Sequence, residues 1–271
     1  MEKAILKNQK QDMSICKVFN PVNLIKPFAV FIILTSFLTA HSQRTSSLEK
    51  ALKNPGKYRV LDLSKKGLNE IPPEVFQLVN LEELILFKNN ISTIPSEIKK
   101  LKKLKRLALS RNNIKILPRE IGELKNLENL SLYMNELEKL PWEIGNLKEL
   151  SELKLNYNKL SELPASIGFL LNLESLYLDN NELVALPPEI GNCKSLAMLY
   201  VGKNNIEYLP VEMGNLINLN ELDLATSGVM LDLPESLCNI TGLEYLQVDR
   251  NAVVPYCILG NRNPRFQLIV K

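Results

Sequence analysis

The chain is poor in the residues that most active sites and metal centres require. Its 271 residues include one histidine, His41, one tryptophan, Trp142, and four cysteines, with aromatics at 6%. Ser-His-Asp and Cys-His catalysis place an imidazole beside the nucleophile, and histidine metal sites need several. The cysteines lack neighbouring ligands at the short spacing a metal site needs, so the sequence predicts neither a metal site nor any other cofactor. A 45% hydrophobic content with so few rings predicts an aliphatic core. Excess charge is also missing. Lys3, Lys7, Lys10, Lys17 and Lys26, against Glu2 and Asp12, account for the whole formal +3, and the rest carries 28 residues of each sign. That balance offers no basic footprint for nucleic acid or anionic lipid.

A long apolar run is absent as well. The run "FAVFIILTSFLTA" at 28–40 is preceded by Lys17 and Lys26 and ends at Ala40-His41-Ser42. It falls short of the ~20 apolar residues a spanning helix needs and fits a secretory leader. The expected cut lies between Ser42 and Gln43, with Met13 a second candidate start. Cleavage removes His41 and Cys16, leaves no stable membrane span, and predicts a secreted, periplasmic or cell-surface protein. An uncleaved, membrane-anchored form is the alternative.

What the chain has in abundance is a repeated phrase, L-x-x-L-x-L-x-x-N-x-L-x-x-L-P-x-x-I-G-x-L-x-x. It begins at Tyr58, Leu81, Leu104, Leu127, Leu150, Leu173, Leu196 and Leu219, then in degenerate form at Leu243; the first seven intervals are 23 residues and the next is 24. In "LENLSLYMN", Leu130 and Leu132 are two apart and share one face of a strand. Leu127, Leu137, Leu140, Ile144 and Leu147 supply the other inward positions. One copy cannot bury that face, whereas stacked copies form a continuous core with neighbouring parallel strands roughly 4.8 Å apart.

The phrase resembles that of the leucine-rich repeat family, in its 23-residue class known from bacterial and Ras-group proteins. The resemblance implies an α/β solenoid: a curved horseshoe with parallel strands on the concave face and turns or short helices on the convex face. The domains read as a leader over 1–42, an N-terminal helical cap over 43–57, about nine repeats over 58–253 and a C-terminal cap over 254–271.

Each recurring residue type has a structural purpose. Asn89, Asn112, Asn135, Asn158, Asn181, Asn204 and Asn251 can satisfy backbone N–H and C=O groups that turn inward after each strand, since an amide both donates and accepts. Losing one is expected to cost roughly 1–3 kcal/mol. Lys66 and Ser227 interrupt this series, and their coils are expected to be less regular. The Leu-Pro pairs suit a turn without ladder bonds. Gly122, Gly145, Gly168, Gly191 and Gly214 are expected to supply a φ that side chains resist. At the start, Ser46 and Glu49 read as a capping box for a helix stopped at Asn54-Pro55-Gly56, with Leu48, Ala51 and Leu52 covering the first coil. At the end, "RFQLIV" reads as an edge strand. Cys193 replaces a core leucine. Cys238 and Cys257, about one coil apart, are candidates for a disulfide pinning the cap, with two free thiols the alternative.

With the inward positions occupied, function falls to outward strand positions. Tyr133, Met134, Tyr157, Tyr177, Met198 and Tyr200 lie on a diagonal across the fourth to seventh repeats, and Ile85 and Phe87 form a smaller apolar spot. Tyrosine combines large contact area with few rotors, so these eight are the expected partner-binding residues. Trp142 is expected to pack on the opposite side. The outward carboxylates are scattered over several coils, with no glycosidase-like pair in a cleft. No catalytic residue emerges. The reading is a non-enzymatic module, secreted or envelope-located, binding a protein or peptide on its concave face. An intracellular scaffold of Ras-group type and a carbohydrate-binding surface protein are the alternatives.

Overall fold

The computed structural model describes residues 43–228, 231–261 and 263–271; the expected leader lies outside them. The described chain forms one eleven-stranded parallel sheet in sequence order. The strands are β1 (Arg44–Thr45), β2 (Val60–Asp62), β3 (Glu83–Ile85), β4 (Arg106–Ala108), β5 (Asn129–Ser131), β6 (Glu152–Lys154), β7 (Ser175–Tyr177), β8 (Met198–Tyr200), β9 (Glu221–Asp223), β10 (Tyr245–Val248) and β11 (Gln267–Val270). From β2 to β9 each residue pairs with the one 23 positions on, as Leu130 with Leu153 and Leu153 with Leu176. One repeat is therefore one coil of a curved solenoid.

From β2 to β9 each strand is only three residues long because the next turn reverses the backbone. Lys65, Lys88, Arg111, Met134, Tyr157, Asn180, Lys203 and Thr226, all in the eighth position, have φ between 54° and 58°. This left-handed conformation costs an L residue about 1–2 kcal/mol and is borne mostly by residues that do not favour it. The neighbouring asparagine stabilises the turn. Asn158 Oδ1 accepts from Leu137 N at 3.0 Å, while its Nδ2 donates to Leu132 O at 3.0 Å and Leu155 O at 2.8 Å. The same bonding runs from Asn89 through Asn112, Asn135 and Asn181 to Asn204, all of them buried. It stops there: Ser227 Oγ donates to Leu224 O, and Asp249 accepts from Thr226 N at 2.7 Å. Asn251, expected in this series, is exposed in a turn, because the ninth coil has left the repeat geometry and Arg250 N bonds instead to Lys271 O. A second amide series was not anticipated: Asn126, Asn172 and Asn218 each donate to a backbone carbonyl of the preceding coil.

The convex side consists of five-residue 3₁₀ turns such as Trp142–Asn146 and Ala165–Phe169. Glycine is required here for a reason other than the expected one. Gly67 is the sole described glycine with positive φ, so Gly122, Gly145, Gly168, Gly191 and Gly214 are not there for conformational freedom. A Cβ on Gly122 would stand 2.5 Å from Glu143 O of the next coil, and the other four meet the same obstruction. Removing the side chain lets the convex turns approach. Between the two sides lies one aliphatic core from Ala51 to Ile258. Cys193 belongs to it, with Sγ 3.3 Å from Ile167 O and a thiol pushed up to about 12 by burial.

The N-terminal cap differs from the expected form, whereas the C-terminal cap has the expected edge strand and disulfide and adds a helix. The first begins with β1, which pairs with β2, before helix α1 (Leu48–Lys53). Ser47 rather than Ser46 is the N-cap, accepting from Lys50 N at 3.3 Å; Lys50 occupies the position a capping box reserves for Glu or Gln. Ala51 is fully buried, with Leu48 and Leu52 packed beside it. At the other end a short helix, α2 (Tyr256–Leu259), precedes β11. A disulfide joins Cys238 to Cys257, with Cα atoms 5.8 Å apart. Cys238 occupies the slot that holds glycine in the central coils, so a covalent link replaces close packing there.

Candidate functional site

The outward residues of β2 to β10 line the concave face, and the side chains singled out there gather in three places. Tyr177 and Tyr200, neighbours in β7 and β8, stack with centroids 5.2 Å apart and planes 3° from parallel. Lys154 Nζ lies 5.4 Å from the Tyr177 ring and pairs with Glu152 at 2.7 Å. Just beyond the strands, Tyr133 and Tyr157 meet edge to face at 5.5 Å. The expected diagonal thus resolves into two tyrosine pairs. Met198, half-buried, lies between Ser175 and Glu221 in the sheet register. Met134 and Tyr157 are 39% and 43% exposed, both on left-handed backbone.

Ile85 and Phe87 are separate from the tyrosines. They line a depression of about 280 Å³ together with Arg106, Ser110, Ser131 and Lys154. The Arg111 guanidinium lies 5.8 Å from the Phe87 ring.

A further feature was not anticipated from the sequence. A depression of about 430 Å³ in the fifth to ninth coils is lined by Tyr157, Asp179, Tyr200, Gly202, Asp223 and Gln247, among others. The outward carboxylates therefore do not all lie scattered: the 23-residue register brings Asp179 and Asp223 to one concavity from either side of Gly202. Burial, reinforced by the charge of Asp223, pushes the Asp179 carboxyl up to about 6. Asp223 is held by Ala225 N and Gln247 Nε2, each at 2.9 Å. The Tyr200 hydroxyl donates to Glu221, and burial together with that bond raises the pKa of Tyr200. The missed signal is the seventh-position column, where Asp179, Gly202 and, two positions earlier in the next coil, Asp223 are adjacent once the coils are laid side by side.

Trp142, expected to pack, is 57% exposed on the convex side and meets Phe169 edge to face at 6.0 Å. A 3₁₀ turn on the outside of the solenoid has no layer above it to bury a ring. Among the described residues, Glu235, Cys238 and Cys257 alone cluster as a metal site would, and both of those sulfurs are in the disulfide. No described helix is long and apolar enough to cross a membrane.

Compared with known families, residues 18–136 match the leucine-rich repeat region model and residues 171–229 the leucine rich repeat model. Among solved structures the chain is similar to the ectodomain of the plant membrane receptor kinase GASSHO1/SCHENGEN3 from Arabidopsis thaliana, solved in complex with CASPARIAN STRIP INTEGRITY FACTOR 2. The identity is 33% and the TM-score 0.69, over 83% of this chain and 28% of that one. It is similar to the leucine-rich repeat domain of the type III effector XopL at 25% identity and TM-score 0.68, over 82% of this chain and 79% of that one. An internalin of Listeria monocytogenes shares the fold at 20% identity and TM-score 0.60, over 83% of this chain and 70% of that one. The chain thus spans little more than a quarter of the plant ectodomain it matches. No curated protein matches the sequence.

Proposed function

Because the chain belongs to the leucine-rich repeat family, whose fold is a protein-interaction module, we propose that it binds a protein or peptide on its concave face, outside the cytoplasm, without catalysis. The observation that carries this reading is the pair of tyrosine contacts, Tyr177 with Tyr200 and Tyr133 with Tyr157, on a sheet face whose other side chains are mostly polar. Stacked rings are rigid and lose little entropy when covered, which is what an interface anchor requires. Two further observations support it. The plant ectodomain in the comparison was solved with a bound factor. The Cys238–Cys257 disulfide suits an oxidising compartment, and so agrees with export by the 28–40 leader.

The test is affinity purification from secreted or periplasmic material with the wild-type chain and with Tyr177→Ala, read by mass spectrometry. The partner is expected with the wild type and to be depleted about 30-fold with the variant, the effect of losing a ~2 kcal/mol hot spot. An identical set of proteins on both removes the concave tyrosines as the site. N-terminal sequencing of the same material is expected to begin at Gln43.

A further inference from the structure

Gly202 is where the seventh-position column lacks a side chain, and the space it leaves has carboxylates on two sides. A methyl group there would stand 3.3 Å from Asp179 Oδ1, 3.5 Å from Asp223 Oδ1 and 2.9 Å from Ala225 O. Both carboxylates thus face one small opening, with Tyr157 and Tyr200 among the residues around it. Among the described residues neither aspartate forms a salt bridge, although Lys203 and Lys271 border the depression. Charge on the concave face is also uneven: in the first five coils Asp62, Glu83 and Glu152 share the outward strand columns with Arg106 and Lys154, whereas in the sixth to ninth those columns hold Asp179, Glu221, Asp223 and Asp249 and no lysine or arginine.

We propose that the opening between Asp179 and Asp223 receives one basic side chain, arginine or lysine, of an extended peptide lying on the concave face. The proposal rests on the concave-face reading above and adds the chemistry of the ligand. An organic cation fits better than a metal ion. The aspartate oxygens do not gather with a third ligand as a metal site requires, whereas aromatic side chains beside paired carboxylates suit an ammonium or guanidinium group. Asp179 is held in a position that disfavours its own charge, and an incoming cation relieves that penalty.

The experiment selects binders to the immobilised full chain from a random-peptide display library, then measures the best peptide by titration calorimetry. Selected peptides are expected to share one arginine or lysine, and changing it to norleucine should weaken binding at least tenfold. Asp179→Asn and Tyr157→Ala should each weaken the parent peptide comparably. In the Asp179→Asn chain the norleucine change should have little further effect, the signature of direct coupling. Tyr157 is exposed, so its truncation keeps the test valid if the aspartate variant folds poorly. Peptides that tolerate norleucine yet are lost with Tyr177→Ala overturn the proposal and leave the concave-face reading standing. Peptides indifferent to every concave substitution, or no binders at all, overturn both.

Discussion

A single residue in this chain is defined by its position within the coil rather than by its neighbours in sequence. Lys203 illustrates the backbone side of this, with φ 55° and an exposed side chain. A β-branched side chain resists the left-handed region most, so Lys203→Val should lower stability by about 1–2 kcal/mol in urea denaturation. Lys203→Gly should stay within about 0.5 kcal/mol of wild type, since relief of strain offsets a looser unfolded chain. Asp179 illustrates the electrostatic side. Its carboxyl is raised from 3.8 to about 6, so the folded state holds the proton more tightly than the unfolded state. The resulting stability is fully present below pH ~4 and is lost as pH rises through ~6. Asp179→Asn should therefore stabilise the chain at pH 7.5 by about 1 kcal/mol, after discounting for partial exposure, and change little at pH 4. Thermal melts at the two pH values check this, and an equal gain at both would contradict it. At this scale the sequence made the asparagine bonds readable, because an amide at a fixed step after two inward leucines has few other uses. It hid the left-handed turn, because Lys, Arg, Met and Tyr give no local sign of it.

Elements repeat because their contacts are with the next coil. The convex glycines show it: Gly168→Ala forces a Cβ into the backbone of the following turn at Glu189. It should cost about 1–3 kcal/mol, as overpacking does, whereas the same change at exposed Gly56, which has open space around it, should cost much less. Paired urea titrations of the two variants give the comparison. The C-terminal cap depends on its covalent link. Replacing Cys238 and Cys257 with serine should loosen α2 and β11 by up to about 3 kcal/mol, the scale for closing a short loop. Hydrogen exchange should then show lost protection in β11 and unchanged protection in β5 to β7, because a solenoid transmits stability only between neighbours. The caps were the least legible elements. They stand outside the repeat, so β1 and α2 had no periodicity to reveal them, and one residue's ambiguity between Ser46 and Ser47 misplaced the N-cap.

At the largest scale the described residues form a sheet with one face sealed by leucine and the other open, and that division was legible from spacing alone. Which outward residues touch one another was only partly legible. The column alignment brought Tyr177 beside Tyr200 and kept Ile85 and Phe87 apart from the tyrosines, but it did not give the split of the tyrosine diagonal into two ring pairs, nor the exposure of Trp142 on the convex side. Those depend on rotamers and on whether anything covers a turn, which a repeat pattern does not encode. The central claim is that partners meet the concave face. The most direct measurement places a photoreactive phenylalanine analogue at position 177 in one chain and at position 142 in another, and compares cross-linked adducts formed in the exported material. Adducts should form from position 177 and not from position 142; adducts from position 142 alone would contradict the account.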